Sequence, residues 1–121
     1  MELTIGDKVY QFTFGIGFLK EINKSAAIPM DSAGNKRNVG LMYCVGSLVD
    51  RDVEELVKVL DFANKGQTPR ITEKAINDYI DNECEDIEEL FNKVLDFLSK
   101  SNACKLTVVP MMKEIEKQAL N

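Results

Sequence analysis

The chain has 121 residues, 45% hydrophobic and 29% charged, so it is long enough for one domain with a real core and too apolar to be wholly disordered. Fifteen Lys and Arg against 20 Asp and Glu leave a net charge of -5, and the basic residues are scattered. No patch is suited to a row of phosphates, so nucleic acid is not an expected partner. Histidine is absent, which removes the commonest general base and metal ligand and with them a hydrolase dyad or a His-containing zinc site. Cys44, Cys84 and Cys104 lie 40 and 20 residues apart with no C-x-x-C pair, a spacing that suits a reducing cytoplasm rather than a disulfide framework. Met1–Asp7 carries no basic segment followed by an apolar run, so no signal peptide is expected. The longest uncharged stretch, Val39–Val49, has eleven residues against the roughly 20 of a membrane-spanning helix, so no membrane partner is expected either.

In chain order, Leu3 and Ile5 alternate with polar residues before Gly6-Asp7, and Tyr10, Phe12 and Phe14 alternate after it. This period of two predicts a β-hairpin with a two-residue loop, pairing Ile5 with Lys8 and Leu3 with Tyr10. One face then carries Leu3, Ile5, Tyr10, Phe12 and Phe14, and it needs helices to cover it, because a lone hairpin is marginal in water. Ile16, Leu19 and Ile22, with Phe18 beside them, predict a helix from about Ile16 to Lys24. Residues 25–38 lack periodicity and contain Pro29 and Gly34, which predicts a mobile loop.

The uncharged stretch Val39–Val49 is read as a buried segment or a docking surface. Asp50 or Ser47 then caps a helix with Val53, Leu56, Val57, Leu60 and Ala63 on one face, ending at Lys65-Gly66. Thr72 caps a shorter helix carrying Ala75, Ile76, Tyr79 and Ile80. The acidic run Glu83–Asp86 leads into the cleanest helical pattern of the chain: Ile87, Leu90, Phe91, Val94, Leu95 and Leu98. Beyond residue 102, Val108, Met112, Ile115 and Ala119 share a helical face, but Pro110 is expected to break a long helix or begin a shorter one. The expectation is an α+β, mostly helical fold, with the N-terminal β-hairpin packed on a bundle of about four to five helices. Residues 1–102 form the single globular domain, and residues 103–121 form a C-terminal helical or partly disordered tail.

Little in the chain points to catalysis. Gly15-Ile16-Gly17 has Lys20 where a dinucleotide fingerprint needs its third glycine and has no βαβ unit after it, so it reads as a strand-to-helix turn. The carboxylates Asp81, Glu83, Glu85, Asp86, Glu88 and Glu89 lack the glycine and ligand spacing of a calcium loop and suit the positive end of the following helix. A small thiol enzyme needs an activated cysteine, and no electropositive niche surrounds any of the three. No catalytic residue, cofactor or metal is therefore assigned. Two apolar groups remain as candidate partner contacts: Leu41, Met42 and Tyr43 in the uncharged stretch, and Met111, Met112 and Ile115 near the end. Methionine adapts to varied surfaces, which suits a protein that holds another chain.

The opening, Met1 to Asn23, and above all its hairpin followed by Phe14-Gly15-Ile16-Gly17-Phe18-Leu19-Lys20-Glu21-Ile22-Asn23, resembles the start of the tail assembly chaperones of siphophages and prophages of Gram-positive bacteria. The likeness extends more loosely through Gly40 to Gly66 and the Glu88-Glu89-Leu90 helix, and it fades after Asn102. It implies a protein that coats and solubilises the tape measure protein and recruits the major tail tube protein while the tail assembles. It also implies the host bacterial cytoplasm as the site of action and absence from the mature virion. Self-association and a frameshift-extended form of the same chain are further partners it implies. The rival reading is a structural tail completion or connector protein of similar size and helical content.

Overall fold

The computed structural model describes residues 1–119. The chain opens with strands β1 (Glu2–Ile5) and β2 (Lys8–Gln11), paired antiparallel with Leu3 opposite Tyr10 and Ile5 opposite Lys8, in the register the alternation predicts. Gly6 takes φ 65° at the first loop position, where a side chain would be strained. The apolar face of the hairpin, continued by Phe12 and Phe14, is buried, while Thr4 and Val9 face outward.

Helix α1 (Ile16–Asn23) follows, with Phe18 and Ile22 buried and the Phe18 ring edge-on to Phe14 at 5.1 Å between centroids. Ile16, expected on the inner face with Leu19 and Ile22, is 64% exposed. The core face is instead set by Phe18 and Ile22, four residues apart, with Leu19 half-buried beside them.

Residues 25–38, expected as a loop, contain a second antiparallel hairpin, β3 (Ala27–Pro29) and β4 (Lys36–Asn38), with Ile28 opposite Arg37. Its turn is held by the Asp31 carboxylate, which accepts from the backbone N–H groups of Ala33 (2.9 Å) and Asn35 (3.2 Å) and from Asn35 Nδ2 (2.7 Å). Every residue of both strands is exposed, so no inward side chains impose the alternation by which a strand is recognised in sequence.

The uncharged stretch is helix α2 (Gly40–Val49), followed by α3 (Val53–Asn64). The cap of α3 is Asp52, whose side chain accepts from Glu55 N, and not Asp50 or Ser47 as expected. Arg51 makes the turn between the two helices at φ 61°. Helix α4 (Glu73–Asp78) is capped by Thr72 and runs on into a π-helical turn, Tyr79–Glu83. Helix α5 (Ile87–Lys100) is capped by Asp86, whose side chain accepts from Glu89 N. Helix α6 (Lys105–Ala119) continues through Pro110. Proline lacks the N–H that would bond the carbonyl of Leu106, and Leu106 lies 85% exposed, on the solvent side of the helix. The last two residues of the expected tail, Leu120 and Asn121, lie outside the described residues.

These elements give the α+β, mostly helical architecture, in which one core joins the hairpin to the helices. Phe12, Ile22, Leu48, Leu56, Leu60, Ile71, Ile76, Phe91 and Leu98 are fully buried in it, and Cys104 and Val108 bring the start of α6 into the same cluster. At its polar centre Asn64 is fully buried and fully bonded. Its Nδ2 donates to the carbonyls of Gln11 (2.9 Å) and Pro69 (3.3 Å), and its Oδ1 accepts from Ile71 N (2.7 Å) and Arg70 Nη1 (3.1 Å). One side chain thus fastens the hairpin to the end of α3 and to the segment leading into α4, a role that an isolated Asn in sequence does not announce.

Candidate partner-binding groove

Helix α2 contains no charged residue, and the fold uses only part of its surface. Leu41, Cys44, Val45 and Leu48, spaced three and four apart, are buried against α1, α3, α5 and α6. The start of the helix is pinned to α1, because Asn23 Oδ1 accepts from Leu41 N at 3.2 Å. Gly40 is required at that junction. A Cβ there would lie 1.7 Å from the Ile22 carbonyl oxygen.

The opposite face of α2 carries Met42, Tyr43, Gly46 and Ser47. With Asp50, with Ile28 and Val39 from the second hairpin and its exit, and with Met111 from α6, these residues line an open groove of about 400 Å³. Tyr43 is 57% exposed and Met42 41%, and Ile28 is also exposed. Gly46 differs from Gly40 in that, its chain neighbours and its own helix backbone apart, no atom of the described residues lies within 4 Å of where its Cβ would be. A glycine inside a helix costs about 1 kcal/mol relative to alanine, and no contact among the described residues explains it.

The expected contact residues divide as follows. Met42, Tyr43 and Met111 are brought together in the groove. Leu41 is buried in the core. Met112 is half-buried against the core, and Ile115 is half-buried farther along α6, neither of them lining the groove. Ile28, Val39, Gly46, Ser47 and Asp50 complete the lining. The helical spacing of Met42, Tyr43 and Gly46 within an uncharged helix was a usable signal for Gly46, whereas Ile28 lies in a hairpin that the sequence pattern does not reveal.

The groove ends at Asp50, beside the C-terminal carbonyls of α2, where the helix dipole already disfavours negative charge. None of the ion pairs among the described residues includes Asp50. The adjacent cation, Arg51, is engaged elsewhere: it pairs with Glu88 at 3.0 Å, donates to Asn92 Oδ1 at 2.8 Å and to the Leu48 carbonyl of α2 at 3.4 Å, and lies over the Phe91 ring.

The two buried thiols, Cys44 and Cys104, are poor nucleophiles. Burial pushes the Cys44 thiol far above its ordinary value, with nearby Glu55 adding to the rise, and burial also raises that of Cys104, whose Sγ donates to the Phe14 carbonyl at 3.8 Å. Among the described residues no group of three Cys, Asp or Glu side chains is placed to hold a metal ion. Nor is any described helix long and apolar enough to cross a membrane.

What remains is an apolar groove with one negatively charged end, on the core shared by the hairpin and the helices. Comparison with curated proteins and with solved structures gave no match. A family model described as phage tail assembly chaperone protein, TAC, matches residues 2–113, from the first strand to just past the methionine pair of α6. The match takes in the hairpin, all the residues lining the groove and nearly the whole core, and on it the chain belongs to the phage tail assembly chaperone family.

Proposed function

We propose that this chaperone binds the tape measure protein, keeps it soluble in the host bacterial cytoplasm, helps to recruit the tail tube protein and is absent from the finished virion. The observation that carries the reading is the family match over residues 2–113. The groove supports it on physical grounds. A long amphipathic tape chain exposes an apolar stripe until the tube encloses it, and a small acidic protein with an unpartnered apolar groove shields such a stripe without catalysis. Met42 and Met111 supply side chains that adapt to different segments of one long partner. Chaperone families are not typically enzymatic, and no catalytic role is proposed.

The test is co-expression with the neighbouring tape measure protein, followed by affinity purification and mass measurement of the soluble fraction. The expected product is a soluble complex with many copies of this chain per tape chain, and purified particles that lack it. Precipitation of the tape protein with or without this chain removes the reading. A fixed number of copies in purified particles replaces it with a structural tail component.

A further inference from the structure

We propose that the α2 groove takes one helix of the tape measure protein, and that this helix carries a small residue where it crosses Gly46 and a lysine or arginine at the Asp50 end. The inference rests on the tape-binding reading above and adds to it which surface is used and what the recognised segment must contain.

Helix α2 holds two glycines with different reasons to be there. Gly40 is explained inside the fold, by the Ile22 carbonyl pressed against its Cα. Gly46 is explained by nothing inside the fold, and it lies on the groove face between Tyr43 and Asp50. Bare backbone at that position lets a second helix come closer than the usual separation, provided that it too presents a small side chain at the crossing. Apolar side chains on either side of the crossing then seat against Met42, Tyr43, Ile28, Val39 and Met111.

Charge fixes the other requirement. Asp50 stands at the negative end of α2 with no cation among the described residues paired to it, and the arginine next to it is engaged by Glu88 and Asn92 on α5 and by the Leu48 carbonyl. A basic side chain arriving there gains both the carboxylate and the end of the helix dipole. An acidic residue in its place meets both as repulsion. The same sign argument disfavours a second copy of this chain as the occupant, since each copy carries a net charge of -5.

The experiment uses the full chain and overlapping helix-length peptides that tile the tape measure protein, with affinity read by fluorescence anisotropy. Peptides that bind are expected to carry Gly, Ala or Ser within an apolar stripe and Lys or Arg one or two turns away. Gly46→Leu places its side chain in open space and gains helix propensity, so it melts at or above the wild-type temperature while weakening those peptides by roughly tenfold or more. Asp50→Lys weakens them by about tenfold at low salt and less at high salt, and changing the basic residue of the peptide to Glu restores binding to that variant.

Undiminished binding to Gly46→Leu, or binding peptides that lack the small and basic residues, overturns the proposal. So does a wild-type chain that self-associates and becomes monomeric as Gly46→Leu with peptide binding unchanged, because the groove is then an interface between copies. If wild type and Gly46→Leu solubilise the co-expressed tape chain equally, the chaperone reading stands and the groove assignment falls. If wild type binds no peptide and solubilises nothing, both fall together.

Discussion

Helices α5 and α2 are both apolar enough to be found in sequence, but they use their apolar residues differently. In α5, Leu90, Phe91, Val94, Leu95 and Leu98 form one inward stripe, and the outer face carries Glu88, Glu89, Asn92 and Asp96, with Phe97 as its one exposed apolar side chain. In α2 there is no charged residue to mark an outer face, and the inward stripe of Leu41, Cys44, Val45 and Leu48 is backed by Met42, Tyr43 and Gly46. An amphipathic helix commits its apolar side chains once, to the core. An uncharged helix of which only one face is packed presents apolar surface that the fold itself does not consume, and that surplus is where a partner is to be sought.

The comparison breaks if the inward stripes are not equivalent or the outer face of α2 proves structural. Phe91→Ala in α5 is expected to cost about 3–5 kcal/mol and Leu48→Ala in α2 about 2–5 kcal/mol, since each empties a fully buried site. Met42→Ala, on the groove face, is expected to stay within about 0.5 kcal/mol of wild type. Urea unfolding curves for the three variants decide the point. A loss for Met42→Ala as large as that for Leu48→Ala would mean that α2 has one structural surface and not two.

A sharper version lies within α2, where one chemical change at two positions is expected to have opposite signs. Gly40→Ala forces its methyl group into the Ile22 carbonyl and must part α1 from α2, at a cost of about 1–3 kcal/mol. Gly46→Ala adds the same methyl group to open space and is expected to stabilise the chain by about 0.5–1 kcal/mol through helix propensity. Thermal melts of the two variants beside wild type measure both. If Gly46→Ala destabilises, the glycine has a structural reason inside the fold, and its reservation for a partner loses its basis.

The sequence shows a region clearly where a single face must be buried. The first hairpin, its register and its inner face, and helix α5, follow from periodicity because water and core impose opposite demands on different faces, whereas in α3 the expected face holds at Leu56, Leu60 and Ala63 but Val53 is exposed and Val59 is buried instead. Two features escape that reasoning. The second hairpin buries none of its strand residues, so its pairing depends on the Asp31 turn and leaves no apolar pattern. The site is only half legible for a related reason: Leu41, Met42 and Tyr43 are consecutive in a stretch with no polar marker, and only the rotation of α2 decides that the first is core and the other two are groove. Met111 lines the same groove as Met42 across a long sequence separation that no local pattern encodes.

The smallest expected effect concerns the second hairpin, which carries Ile28 into the groove. The Asn35 side chain, followed by its backbone N–H and that of Ala33, holds the Asp31 carboxyl below the ordinary aspartate value of 3.8. A group whose pKa is depressed on folding contributes order that is complete above the ordinary value and lost as pH falls through the depressed one. Asp31 is fully exposed, so the loss is local to residues 27–38 and leaves α5 and the core in place. Amide resonances followed by NMR during acid titration are therefore expected to shift at Ala33, Asn35 and Ile28 with a midpoint below 3.8, while those of Phe91 and Leu95 hold still. Asp31→Asn should bring the same local shifts at neutral pH. If the core resonances move together with the hairpin, the second hairpin is continuous with the core and not an attached wall, and the groove is then as rigid on that side as it is along α2.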